Sequence, residues 1–551
     1  MNALSKVGAL ALVAAIGAAA CGSSTATTAP ASPGESNTAS GGASGAPSQA
    51  AGGKEIATLT WAGKNSVASL DPALSYDSGT NNYATYAECE ALFRFDEKTQ
   101  LQPLLATAYN QVDSKTFTVD LNPAAKFWDG KAVTPEDVVF SMMRVNDPDL
   151  ASPLAGLAAV IDSVTKSGDN QVTIKLNQAD PPFRFKLATP MAQIVEKAYV
   201  DSVGSDFGTA ADKVMCTGPF KPTQWDKGSK LVFDRVDSYW DPSRLPKVKQ
   251  LIIQEVTDSA TLVAGLKSGS IDGTFDLDGR NAQQLEGDSN LSVTAGQGNQ
   301  FNYISPVQGP GKPFADPRVR RAFSLAIDRT GLANAVSGKY AQPLKAPAPP
   351  GLSAWMTSLF DQGYDALSTP LTPDLTEANR LIADAKAQGL KLEVIVQESP
   401  TADIVGPAIQ QAGASIGLDI TIKKLPTADW AAANFSGIEP RPFDSMLNFW
   451  AADYPDLSAD LVIPFSNKYS NVEGYLDPAY QTLQDTWIST AAETEAQANA
   501  LLDMQKMLVD QTVKIPLYVD PTIQTQSTKI GGYTQTKFWF YQNFAQEISG
   551  N

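Results

Sequence analysis

Within NFWAADYPDL, residues 448–457, two alanines separate the indole of Trp450 from the carboxylate of Asp453, and the phenol of Tyr454 follows at once. Aromatic flanks of this kind suit a half-buried position, where an unpaired carboxylate is costly to desolvate. Asp453 therefore calls for a cation or hydrogen-bond donors, supplied by the fold, by a reacting group or by a bound molecule.

The remaining composition narrows the chemistry. The chain of 551 residues contains no histidine, which excludes Ser-His-Asp and Cys-His catalysis and every histidine-based zinc, nickel or haem site. Its 3 cysteines cannot form a four-thiolate centre. GGKE at 52–55 lacks the spacing of a phosphate-binding loop, GQGNQF at 296–301 fails the dinucleotide fingerprint, and DLDG at 276–279 lacks the later ligands of a calcium loop. No cofactor and no metal are expected. A hydrolase using two carboxylates survives this filter. No two acids stand out in matching aromatic contexts, so a non-enzymatic role is the expectation. The net charge of −17 leaves no basic surface for nucleic acid.

The chain begins with one early lysine, Lys6, and an apolar run from Val7 to Ala20. That run is shorter than the roughly 20 residues a membrane-spanning helix needs, and it reads as a signal peptide over 1–20. Ala18-Ala19-Ala20-Cys21 resembles a bacterial lipobox, with Ala18 where leucine is preferred, and the resemblance implies lipidation at Cys21. Residues 21–54 are rich in Gly, Ser, Ala, Thr and Pro and lack the large apolar side chains that offset ordering entropy, as a tether does. Anchor and tether together imply a body working at the outer face of the cell membrane, at the cell surface or in the periplasm. Cys89 and Cys216 remain, either bonded to each other in that oxidising compartment or held as separate buried thiols.

The elements that must position Asp453 can be read from local signals. Residues 56–61 alternate as a strand, and a helix presenting Tyr83 and Ala87 follows the turn near 75–79. Thr134, Pro135 and Asp137 spell a helix start with a capping box, ahead of Val138, Val139 and Met142. A helix is predicted over Ser259–Ser268. Asp316-Pro317 opens another helix, with Arg318, Arg320 and Arg321 expected on its solvated faces. From 376 onward strands alternate with helices, which indicates a partly parallel sheet whose ligand sites lie past strand ends. A strand over 444–449 delivers the chain to Trp450 and Asp453.

LDPA (70–73), KFWDGKAVTPEDVVFSMMR (126–144), CTGPFKPTQWDKG (216–228), DSYW (237–240), LKSGSIDG (266–273), PFADPRVRRAFSLAIDR (313–329) and WAADYPD (450–456) occur in this order. Together they resemble extracytoplasmic solute-binding proteins of family 5, which serve dipeptide, oligopeptide and nickel ABC importers. The resemblance implies an α/β, two-lobed, periplasmic-binding-protein-like fold (class II, type C) with three subdomains around a hinged cleft. It assigns domain I to 55–90, 191–296 and 519–551, domain II to 91–190 and domain III to 297–518. It also implies a monomer that captures a small molecule or peptide and hands it to ABC permease subunits. In peptide-binding members the matching aspartate, here Asp453, pairs with the ligand's α-ammonium, while Trp450 and Trp430 line side-chain pockets. Asp77, Ser78 and Gly79 correspond to a loop offering backbone groups. Tyr303 lies on a strand expected to pair with an extended peptide. Leu447 stands where some relatives carry an arginine for the peptide carboxylate, which leaves room for other amines, sugars or peptide-like metabolites; a surface receptor that senses peptides on the same fold is a separate alternative.

Overall fold

The alternation at 56–61 becomes strand β1 (Ile56–Gly63), whose Leu59 and Trp61 are fully buried. In the computed structural model, which describes residues 53–75, 79–437, 441–465, 470–490 and 492–551, β1 belongs to a mixed sheet of 11 strands. Strands β2 (Leu291–Pro306), β3 (Ser445–Ala451) and β4 (Ile515–Ser527) occupy its middle. Parallel strands Asp419–Leu425 and Lys391–Gln397 extend the sheet beyond β3. On the other side of β4 come Gly273–Thr274, β1, Val248–Glu255, Lys230–Arg235 and Phe220–Asp226. The antiparallel pairing of β2 with β4 runs from Leu291 opposite Ser527 to Ile304 opposite Ile515 and shifts register between Gln297 and Phe301. A separate antiparallel sheet of 4 strands is built entirely from residues 106–176.

Local signals fix several helices at the residues where the sequence places them. Helix α1 (Thr80–Glu88) is buried along its whole length. Helix α2 (Pro135–Arg144) begins with a reciprocal capping box between Thr134 and Asp137. Helix α3 (Pro317–Ala326) is capped by Asp316 and packs Val319, Ala322, Phe323 and Ala326 inward. The helix predicted over Ser259–Ser268 has those bounds.

The motifs carrying the resemblance bind one another. Asp71 of LDPA accepts both guanidinium arms of Arg144, at 2.8 and 2.7 Å. Trp128 Nε1 donates to the Gly218 carbonyl at 2.8 Å, while Trp240 Nε1 of DSYW donates to Glu90, outside the motifs, at 2.7 Å. Cys89 and Cys216 are joined in a disulfide that clamps the end of α1 to the same region. These fingerprints are mutual anchors of the scaffold.

Three expectations change. Arg320 is not solvated: it is buried and donates to the carbonyls of Phe314, Ala315, Gln511 and Thr512. Four acceptors replace the water it would otherwise keep. Strand β3 runs on to Ala451, so Trp450 lies within it and only Asp453 lies past its end. Tyr303 lies on β2 between β3 and β4, paired with Asn448 on one side and Pro516 on the other. Its strand has no free edge there for an incoming peptide.

Candidate functional site

Strand β3 places the quoted stretch. Its inner edge pairs with β2 from Ser445 to Ala451, whereas Lys391–Gln397 covers its outer edge only at Ser445 and Met446. Residues 447–451 thus continue past their neighbour with an outer edge that no described strand covers. Trp430 Nε1 donates to the Leu447 carbonyl at 3.2 Å, and the Asn448 carboxamide accepts from the Phe449 amide at 2.9 Å. The chain then turns sharply. The Ala452 carbonyl accepts from Asn299 Nδ2 at 2.8 Å, and Asp456 accepts from Trp355 Nε1 at 2.6 Å and from the Ser458 amide at 2.8 Å.

Asp453 is held in this turn, half-buried. Burial pushes its carboxyl up to about 6, against the opposing pull of the Lys186 cation and a hydrogen bond from the Tyr541 hydroxyl. Lys186 is itself paired with Asp180 at 2.7 Å and stands 5.5 Å from the centre of the Tyr454 ring. The fold tempers the charge of Asp453 without supplying a direct ion pair among the described residues. A half-buried anion so placed suits an incoming cation, because a charge-assisted hydrogen bond is stronger away from water.

The other sequence-derived residues divide into those near Asp453 and those elsewhere. Trp450 is half-buried, packs with Phe301 and Tyr303, and donates its indole N–H to the Ala459 carbonyl at 3.0 Å. Tyr303 is buried under the Lys514 ammonium, 4.2 Å from the ring centre. Trp430, on helix α4 (Thr427–Phe435), is buried and stacks on Phe449 at 5.3 Å and 6°. Phe449 is 40 % exposed, so it, rather than Trp430, presents the open aromatic surface. Gly79 caps α1, whose Tyr86 ring lies 5.9 Å from Tyr541, the residue that meets Asp453. Asp77, Ser78 and Cys21 lie outside the described residues.

Sequence reasoning missed Lys186, Tyr541, Phe449, Glu473, Lys514 and Asp460. Lys186 ends FRFK (183–186) and Tyr541 ends FWFY (538–541), aromatic runs that mark buried surroundings but name no partner. Buried Lys514 pairs with buried Glu473 at 3.1 Å, beside Tyr303. Nothing local in the sequence marks that pair.

A cavity of about 400 Å³ lies elsewhere, between α3 and the helices Arg329–Ser337, Leu375–Ala385 and Ala402–Ser415. Asp328 is its only ionisable lining residue, and that carboxylate already caps the Gly331 amide at 2.9 Å. It offers nothing that would orient a charged ligand. The surroundings of Asp453 do.

Comparison with known proteins agrees with this architecture. The family model of bacterial extracellular solute-binding proteins, family 5 (middle region), matches residues 100–471. The chain is 25 % identical over 480 residues to the glutathione-binding protein GsiB of Pectobacterium atrosepticum, covering 81 % of this chain and 92 % of that protein. It is 24 % identical over 467 residues to the periplasmic oligopeptide-binding protein OppA of Salmonella typhimurium, covering 81 % and 84 %. Among solved structures, it resembles the ABC transporter-associated periplasmic binding protein DppA from Helicobacter pylori, solved in complex with peptide STSA. The TM-score is 0.74 at 23 % identity, with 90 % of this chain and 98 % of that one covered.

Proposed function

The chain belongs to the bacterial extracellular solute-binding proteins of family 5, and from that premise we propose that it is the lipid-anchored receptor of an ABC importer, capturing a peptide between two lobes and delivering it to the permease. The single observation carrying the ligand class is Asp453, a half-buried carboxylate without a direct ion pair among the described residues, placed beside the outer edge of residues 447–451 that no described strand covers. A peptide's ammonium fits the first, and its extended backbone fits the second. Relatives named for binding glutathione and oligopeptides support that choice.

In this reading, domain I comprises 55–90, 191–296 and 519–551, domain II 91–190 and domain III 297–518. The proposed boundaries at 296/297 and 518/519 fall beside the β2–β4 register shift, where Gly298 lies against the Asp520 carbonyl. Such an irregular stretch suits a hinge. Cys21 carries the lipid and the residues after it tether the body to the outer face of the membrane; the expected tether end at 54 moves back, because Lys54 is bridged to Gly550 of the body.

Mass spectrometry of small molecules released from the purified protein by mild denaturation tests the ligand class, alongside thermal-shift screens of peptide and oligosaccharide libraries. Recovered peptides, and stabilisation by peptides with free amines, are expected. Stabilisation by sugars alone contradicts the peptide assignment.

A further inference from the structure

Three acids, Asp453, Asp456 and Asp460, fall within a short stretch after β3, and the fold satisfies them unequally. Asp456 is held by the Trp355 indole and by the Ser458 amide and hydroxyl. Asp453 has the Tyr541 hydroxyl and the field of Lys186. Asp460, on the short helix α5 (Ser458–Leu461), is fully buried, and neither carboxylate oxygen has a hydrogen-bond partner among the described residues. Leaving such a group unmatched is expensive in a packed interior.

Nearby cations are already committed. Lys186 is 2.7 Å from Asp180, and Lys514 is 3.1 Å from Glu473. The charges acting on Asp460 are Asp453 and Asp456 along its own stretch and Lys514 from the start of β4, while Asp460 in turn acts on Tyr303 of β2. Among the described residues Asp453, Asp456 and Asp460 all lack an ion-pair partner: donors surround Asp456, Asp453 has one hydroxyl at the half-buried position, and Asp460 is buried within reach of its field. Trp450 links the two, because its indole N–H rests on the carbonyl of Ala459, the residue before Asp460. A metal ion does not fit this surplus, since no three His, Cys, Asp or Glu side chains converge to hold one among the described residues. The aromatic surroundings of Tyr303, Trp450 and Tyr454 suit the methylene stem of an organic cation.

We propose that Asp460 is a second cation-binding carboxylate of the cleft, so that the preferred ligand carries two positive groups a few bonds apart, as a peptide beginning with lysine or arginine does. The assignment rests on the reading of Asp453 as the ammonium site. Burial and the neighbouring Asp453 carboxylate push the Asp460 carboxyl up, so pairing with the ligand's second cation favours its ionised form, and any proton displaced passes to the buffer.

Titration calorimetry with Lys-Ala-Ala and norleucine-Ala-Ala, on wild type and Asp460→Asn, tests the assignment when repeated in two buffers of different ionisation enthalpy. Wild type should prefer the lysine peptide by about tenfold, through the second charge-assisted contact. It should release more protons with that peptide than with norleucine-Ala-Ala. Asp460→Asn should lose the preference while still binding the norleucine peptide. The proton difference is read in wild type alone, so it stands even where the variant fails to fold. Equal affinities and equal proton release in wild type overturn the role of Asp460 and leave Asp453 untouched. Binding of neither peptide overturns both readings.

Discussion

At the scale of single residues, Asp453 is caught between two demands, a burial that disfavours its charge and a proposed role that requires it. With its carboxyl raised to about 6, the folded protein holds a proton there that the unfolded chain, titrating near the usual 3.9, has already released. The Asp453 contribution to stability is therefore fully present below about pH 4 and is lost as pH rises to about 6. Thermal melts of the ligand-free protein should fall more steeply across that window for wild type than for Asp453→Asn. Affinity for an amine should rise over the same window, because Asp453 ionises while the amine stays protonated. Asp453 stood out in the sequence because its aromatic neighbours are adjacent in the chain. Asp460 did not, since its isolation depends on Lys514 and Glu473 being committed to each other, a fact only the tertiary arrangement supplies. Arg320 teaches the same lesson: periodicity assigned it to a helix surface, and carbonyls from residues 314, 315, 511 and 512 surround it instead.

At the scale of elements, what the chain encodes over a few residues was legible. Helix α2 begins where Thr134, Pro135 and Asp137 require, because capping is a contact between positions three apart. Thr134→Ala should cost about 1 kcal/mol in denaturant unfolding, with the Asp137 side also losing its partner. The Asp71–Arg144 pair joins two segments distant in sequence, with Asp71 buried and Arg144 partly buried. Arg144→Ala strands the Asp71 charge and should cost about 3–5 kcal/mol, whereas removing both charges with Asp71→Asn and Arg144→Met should cost much less. Equal losses for the single and double replacements would show that packing, rather than the orphaned charge, sets the cost. Tyr303 marks where element-level reading stopped. Alternation identifies a strand, but only the sheet order places β2 between two partners and moves the uncovered edge to β3.

For the whole molecule, the proposal is a hinged body closing on a guest. Arg184 pairs with Glu493, Gln100 Nε2 donates to the Ala354 carbonyl at 2.8 Å, and Lys537 Nζ donates to the Pro350 carbonyl at 3.2 Å. Under the proposed partition, all three contacts, like that of Tyr541 with Asp453, join lobe to lobe. At Gly298 an added Cβ would lie 2.3 Å from the Asp520 carbonyl, so Gly298→Ala should force the crossing strands apart. Small-angle scattering should then show a weakened ligand-induced contraction; a contraction equal to that of wild type would remove the hinge from this position. The most direct measurement of the central claim is calorimetry of one peptide in two forms, with a free and an acetylated amino terminus, on wild type and Asp453→Asn. The account predicts that acetylation and the substitution each weaken binding by about 2 kcal/mol or more, and that together they cost little beyond either alone, since both remove one charge-assisted contact. Undiminished affinity of Asp453→Asn for the free-amine peptide would contradict it.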